Sequence, residues 1–261
     1  MLHIHTHLPH TIRRLAPALL LAVLLVFGAG AAHAAALTVA YSDDAPWSMK
    51  QNGAPTGIAV DILREAASRA GIDLSFTHTT RKKCYSLLAK GAADLMLEIQ
   101  QESGVDRFAD LITPPYLTGR NHVVYALKKT ADQYPRYEKL RWHYVAVQRG
   151  KKTFEPFATD RSIAKKRYNS LDTAFSRLLH RQVHAVATTE AEGGYWLATH
   201  QDEARRVART GIRYKGYDPV YFAVSKKSEH QKAARSLGPA IISMIQDGSI
   251  EDIRARYTMG Y

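Results

Sequence analysis

Cysteine is almost absent: Cys84 is the one cysteine in 261 residues. A disulfide within the chain is therefore excluded, and stability must come from a packed core, which a chain of this length can supply. No Cys/His group at metal-ligand spacing follows residue 34, which leaves no zinc-type motif there. His3, His5, His7 and His10 look like a metal tract but precede that point. Long hydrophobic runs are also missing. The longest, Leu15 to Phe27, falls short of the roughly 20 apolar residues that span a bilayer. The formal charge of +12 comes with no basic amphipathic helix and no aromatic-studded basic strand, so no nucleic-acid partner is expected. Its one dense basic patch is Lys165, Lys166 and Arg167.

What is present at the N-terminus reads as an export signal. Arg13 and Arg14 precede the Leu15–Phe27 core, and Ala32-His33-Ala34 follows as a small-residue cleavage site. Residues 1–34 are thus expected to be a cleavable signal peptide, and the mature protein to work in the periplasm. No cysteine directly follows the core, so no lipid anchor is expected. The leader carries two arginines and no acid, leaving a mature charge of about +10.

The mature chain has an α/β rhythm. Leu37 to Tyr41 is an apolar run that stops at Ser42-Asp43-Asp44-Ala45-Pro46, a strand ending in a loop. Asn52-Gly53 signals a hairpin turn. Ile62, Leu63, Ala66, Ala67 and Ala70 recur at helical spacing, and Gly71 closes that helix. A strand over 72–77, a helix over 83–90 and a strand over 94–98 follow. The rhythm restarts after Leu140, with strands at 144–148 and 183–187 and helices at 173–179 and 195–200. Extended segments at 121–128 and 220–224 are candidates to cross between two halves. A helical tail from Lys232 to Tyr257 contains Pro239 and breaks at Asp247-Gly248. Alternating strands and helices of this kind form doubly wound lobes.

Several ordered segments resemble the family 3 periplasmic solute-binding proteins. They are Ala45-Pro46-Trp47 with Gly57 to Leu63, Leu87 to Asp94, Asp106-Arg107 through Thr113-Pro114-Pro115-Tyr116, Val145 to Gly150, and Asp247-Gly248-Ser249-Ile250 with Ile253 and Tyr257. The resemblance covers nearly all of residues 37–260. It implies a two-lobed periplasmic binding protein fold of type II, with two crossing strands. Lobe 1 would be 36–122 plus 222–261 and lobe 2 would be 123–221. It further implies a monomer, no cofactor, an amino acid or other small polar carboxylate as ligand, and the permease of an ABC importer as partner. Hinge closure on the ligand would accompany that role.

The same resemblance nominates a site. Trp47 falls where family members stack an aromatic on the ligand. Arg107 aligns best with the arginine that grips the ligand's α-carboxylate, a task suited to a guanidinium with two parallel donors. Arg120 is its nearest substitute. Tyr41, Asp44, Arg81, Tyr85, Ser103 and Tyr116 are further candidates for the first lobe's share of the cleft. Glu98 ends a strand aimed at the cleft, either to receive a ligand cation or to pair with a neighbouring arginine. In the second lobe the family's Gly-Thr-Thr is replaced by Gly150-Lys151-Lys152-Thr153, which puts Lys152 where a hydroxyl is usual. The aspartate that pairs with the ligand ammonium aligns with Thr189, next to Glu190. A lost carboxylate and a gained lysine point to an anion-friendly cleft, making a non-amino-acid carboxylate a competitor to an amino acid. A few dehydratases and sensory receptors share the fold. No nucleophile–base pair or metal motif favours an enzyme, and the expectation is a non-catalytic binding protein.

Overall fold

The computed structural model describes residues 36–100 and 104–258, so the expected signal peptide and Ser103 lie outside the described residues. The first half opens with strand β1 (Leu37–Tyr41), whose Leu37, Val39 and Tyr41 share one buried face by the two-residue period. A small hairpin, β2 (Met49–Gln51) and β3 (Ala54–Thr56), turns at Asn52-Gly53 as its sequence predicts. Helix α1 (Ile58–Ala70) buries Ile58, Ile62, Leu63, Ala66 and Ala67 and stops at Gly71 in the left-handed region, whose N–H caps Ala67 and Ser68 carbonyls. Strand β4 (Leu74–His78) starts two residues later than the sequence predicts. Helix α2 (Arg81–Lys90) is capped by the Thr80 side chain and closed by Gly91. Strand β5 (Leu95–Gln100) and strand β6 (Ala109–Leu117) complete this part.

The second half contains strand β7 (His122–Leu127), strand β8 (Tyr144–Gln148), strand β9 (Ala164–Tyr168) and helix α3 (Leu171–Leu179). Strand β10 (Ala185–Thr189), helix α4 (Glu190–Thr199), the short helix α5 (Gln201–Ala204) and strand β11 (Val207–Tyr214) follow. The chain then returns to the first sheet as β12 (Val220–Ser225). The expected helical tail is three helices, α6 (Gln231–Arg235), α7 (Leu237–Gln246) and α8 (Ser249–Thr258). Pro239 sits in the first turn of α7, where its missing N–H costs no hydrogen bond.

Two five-stranded sheets result, ordered β4-β1-β5-β12-β6 and β11-β7-β10-β8-β9. Each has three parallel strands at one end and antiparallel pairings at the other. Apolar side chains pack both faces of each sheet, as buried parallel strands require. Strands β7 and β12 each belong to a single sheet. The crossings expected over 121–128 and 220–224 are therefore narrowed to residues 118–121 and 215–219. These two connections run backbone against backbone. A Cβ on Gly119 would lie 2.0 Å from the Gly216 carbonyl oxygen, and one on Gly216 would lie 2.0 Å from that of Arg120. Only glycine permits that approach.

Candidate functional site

The loops after the parallel strands of both sheets face one cavity of about 1100 Å³. Open α/β sheets present their binding crevice at the carboxyl ends of their strands. Here the loop after β1 brings Asp44, the ends of β4 and β5 bring His78, Arg81 and Glu98, and the crossing brings Arg120 and His122. From the second sheet, the end of β8 brings Gln148, Lys151 and Lys152, and the start of α4 brings Thr189, Glu192 and Tyr195.

On the first side, Glu98 is 3% exposed and has a positive φ of 58°, which turns its side chain out of the strand alternation. Its Oε2 accepts from Arg120 Nη2 at 2.9 Å. Its Oε1 lies 2.5 Å from Ser48 Oγ, which also lies 2.7 Å from the Ser42 carbonyl oxygen. Ser48 has one hydroxyl hydrogen, so a proton on Glu98 would satisfy both contacts. Burial and the nearby Asp44 charge push the Glu98 carboxyl up to about 7, against the opposing pull of Arg120 and Ser48. Arg81 Nη2 donates to the Glu98 carbonyl oxygen at 3.0 Å and lies 3.4 Å from Tyr85 Oη.

On the second side, Glu192 is the third residue of α4 and reaches back to its cap. Thr189 accepts from the Glu192 N–H at 3.3 Å, while Glu192 Oε2 accepts from the Thr189 N–H at 3.3 Å and from Thr188 Oγ1 at 2.9 Å. This capping box places a buried carboxylate at the cavity wall. Lys151 Nζ stands 2.9 Å from Glu192 Oε1 and also hydrogen-bonds Asp44. Burial alone would raise the Glu192 carboxyl, but the Lys151 charge and the hydrogen bonds overcome it and hold Glu192 near 2. Burial likewise lowers the pKa of the Lys151 ammonium, and Glu192 and Asp44 more than offset it, so the net direction is upward.

Of the residues nominated from sequence, Asp44, Arg81, Glu98, Lys152 and Thr189 line the cavity. Trp47, Tyr41, Tyr85, Tyr116, Arg107 and Glu190 do not. Trp47 is 1% exposed, held down where its carbonyl meets Gly57, and its ring lies under the Arg120 guanidinium at 4.3 Å. It is a platform for Arg120 rather than an open face. Tyr41 points into the core with Val39, and Tyr116 stacks on Phe222 at 4.4 Å. Tyr85 sits behind Arg81, edge-on to Phe108. Arg107 is exposed on the 3-10 turn Val105–Arg107, in which Val105 takes the inward position. Glu190 pairs with Arg209 at 3.0 Å and Arg213 at 2.8 Å, away from the cavity. The guanidinium facing the cavity from the crossing is thus Arg120, and the carboxylate near Thr189 is Glu192.

Sequence reasoning missed Lys151, Glu192, Ser48 and His122. One signal was available for Glu192: Thr189 followed by Glu three positions on is a capping-box pattern. Among the described residues, the lining carries four fixed cations (Arg81, Arg120, Lys151, Lys152) and six acidic side chains (Asp43, Asp44, Glu98, Asp172, Glu192, Asp218). Glu192, three residues past Thr189, places a carboxylate at the cavity wall where the anion-friendly reading expected none. No group of three or more metal-ligating side chains occurs among the described residues, and none of their helices is long and apolar enough to cross a membrane.

Solved structures reproduce this architecture at low sequence identity. The second substrate-binding domain of Lactococcus lactis GlnP, in its open conformation, is 20% identical with a TM-score of 0.69, over 87% of this chain and 96% of that one. An ancestral cationic amino acid solute-binding protein is 21% identical with a TM-score of 0.68, over 85% and 95%. A histidine kinase sensor domain similar to periplasmic binding proteins is 20% identical with a TM-score of 0.60, over 87% and 97%. At such identities the likeness shows the fold alone, the two-lobed type II periplasmic binding protein fold. A search of curated proteins found no matching relative. The family model for bacterial extracellular solute-binding proteins, family 3, matches residues 37–260, and the chain belongs to that family.

Proposed function

We propose that this protein captures a small amine-bearing solute, an amino acid or a close relative, in the cavity between its two sheets and hands it to the permease of an ABC importer. In this reading residues 1–34 direct export to the periplasm and are removed. Residues 36–122 plus 222–261 and residues 123–221 act as two lobes that close about the Gly119–Gly216 crossing. The observation that carries the reading is the pairing of opposite charges across one cavity. Arg120, clamped over Trp47, offers a guanidinium to a solute carboxylate, and Glu192 with Asp44 offers carboxylates to an ammonium. Arg81, Lys152, Thr189 and His122 add to the polar lining. An excess of lining carboxylates favours a solute with a cation over a simple carboxylate. The ancestral cationic amino acid solute-binding protein shares the fold, and its name agrees with this assignment.

A ligand-presenting sensory role is the second reading, favoured by the likeness to a histidine kinase sensor domain. It needs the same cavity and differs only in partner. A thermal-shift screen of the twenty amino acids and small carboxylates on refolded, ligand-free protein tests the shared claim. A solute at 100 times its Kd should add about 2.7 kcal/mol of stability. If no amino acid or related amine raises the midpoint, the proposal fails.

A further inference from the structure

One charged side chain in the cavity does something a solvent-facing lysine does not. Lys151 follows β8 on the second sheet, just after Gly150, yet its ammonium sits between the carboxylates of Asp44, beyond β1 of the first sheet, and Glu192, on α4. Among the described residues, Asp44–Lys151 is the one ion pair that joins the segment after β1 to the segment after β8. Two carboxylates converging across a cleft repel each other unless a cation separates them, the more so because Glu192 has a side chain only 5% exposed. Two neutral contacts also join β2 to α4: Tyr195 Oη meets Gln51 Nε2 at 3.3 Å and Met49 Sδ at 3.4 Å.

We infer that Lys151 is a tethered stand-in for the amino group of the solute, and that it latches the two halves together while the cavity holds no solute. A solute ammonium that enters takes over Asp44 and Glu192. The four-carbon stem of lysine lets the displaced ammonium swing toward the solute's own carboxylate. Because the lysine is attached to the wall, it competes at a high effective concentration and lowers apparent affinity. The selection lies in Asp44 and Glu192, which need a cation between them, and Lys151 competes only with a solute that brings one. The identity of the displacing group rests on the solute-binding reading, whereas the latch itself does not.

The test compares the full-length exported protein with Lys151→Met, Lys151→Arg and Asp44→Asn, all without solute, by small-angle X-ray scattering. Lys151→Met and Asp44→Asn should both shift to a larger radius of gyration, while Lys151→Arg stays at the wild-type value. An unchanged radius in folded Lys151→Met and Asp44→Asn overturns the latch. The same proteins are then titrated with the twenty amino acids and with succinate. Affinity for the best amino acid relative to succinate should rise at least tenfold in Lys151→Met. A gain by succinate instead overturns the stand-in role. If no amino acid binds either protein while the variants still open, the solute-binding reading fails and the latch stands.

Discussion

Two buried ion clusters face the same cavity, and they differ in what they join. Glu98 and Arg120 both belong to the first sheet and the crossing that leaves it; Trp47, Ser48 and Arg81 hold them in place. Lys151 and Glu192 belong to the second sheet, but their third member, Asp44, comes from the first. The first cluster is part of one packed body and forms whenever that body folds. The second spans both sheets, so under the proposed closure of the two lobes its strength depends on conformation. In that reading one wall of the cavity is preorganised, and the other carries the charges that sense closure.

The largest effect should come from breaking the preorganised cluster. At pH 8 Arg120→Met leaves the buried Glu98 carboxyl without its cation and should cost about 3–5 kcal/mol in chemical denaturation. A loss under about 1 kcal/mol would show that the pair is not integral to the fold. Next comes pH. Folding raises the Glu98 pKa from its ordinary 4.5 to about 7. Between those values the folded state binds more protons than the unfolded state, so this group's contribution is fully present below about pH 4.5 and is lost as pH rises through 7. The fall is at most about 3 kcal/mol. Glu98→Gln should flatten it, and an unchanged pH profile would contradict the assignment. Glu192 has the opposite sign: held near 2, it contributes stability above its ordinary value that disappears as pH drops toward 2. The smallest effect belongs to Arg107→Ala, on the exposed 3-10 turn. Stability should change by no more than about 0.5 kcal/mol. Solute affinity should stay within a factor of about two, less than ~0.4 kcal/mol. A tenfold loss of affinity would return Arg107 to the site.

The same division explains what could be read from sequence. The central parallel strands and α1 were legible because burial imposes apolar runs and helical spacing on them, as in Leu37 to Tyr41 and Ile58 to Ala70. Strand β9, Ala164-Lys165-Lys166-Arg167-Tyr168, was not, because an edge strand needs no apolar run and carries charge instead. Motif order located the loops that face the cavity, and Asp44, Arg81, Glu98, Lys152 and Thr189 do line it. Motif order could not say which of two neighbours turns inward. Lys151 rather than Lys152 makes the ion pairs, and Glu192 rather than Glu190 reaches the wall, since three residues along a helix return nearly to the same face. Arg107 was drawn to the ligand by alignment, and Trp47 by alignment and by its place past a strand end. Packing put the indole beneath Arg120, and the inward turn of Val105 sent Arg107 to solvent.

The central claim is that the wall at α4 holds a solute cation through the charge of Glu192. Calorimetric titration of wild type and Glu192→Gln with the best amino acid from the thermal-shift screen tests it most directly, because glutamine removes the charge while its side-chain oxygen can still accept the capping hydrogen bonds. The account predicts at least a tenfold loss of affinity, about 1.4 kcal/mol. Equal affinity in the two proteins would contradict it.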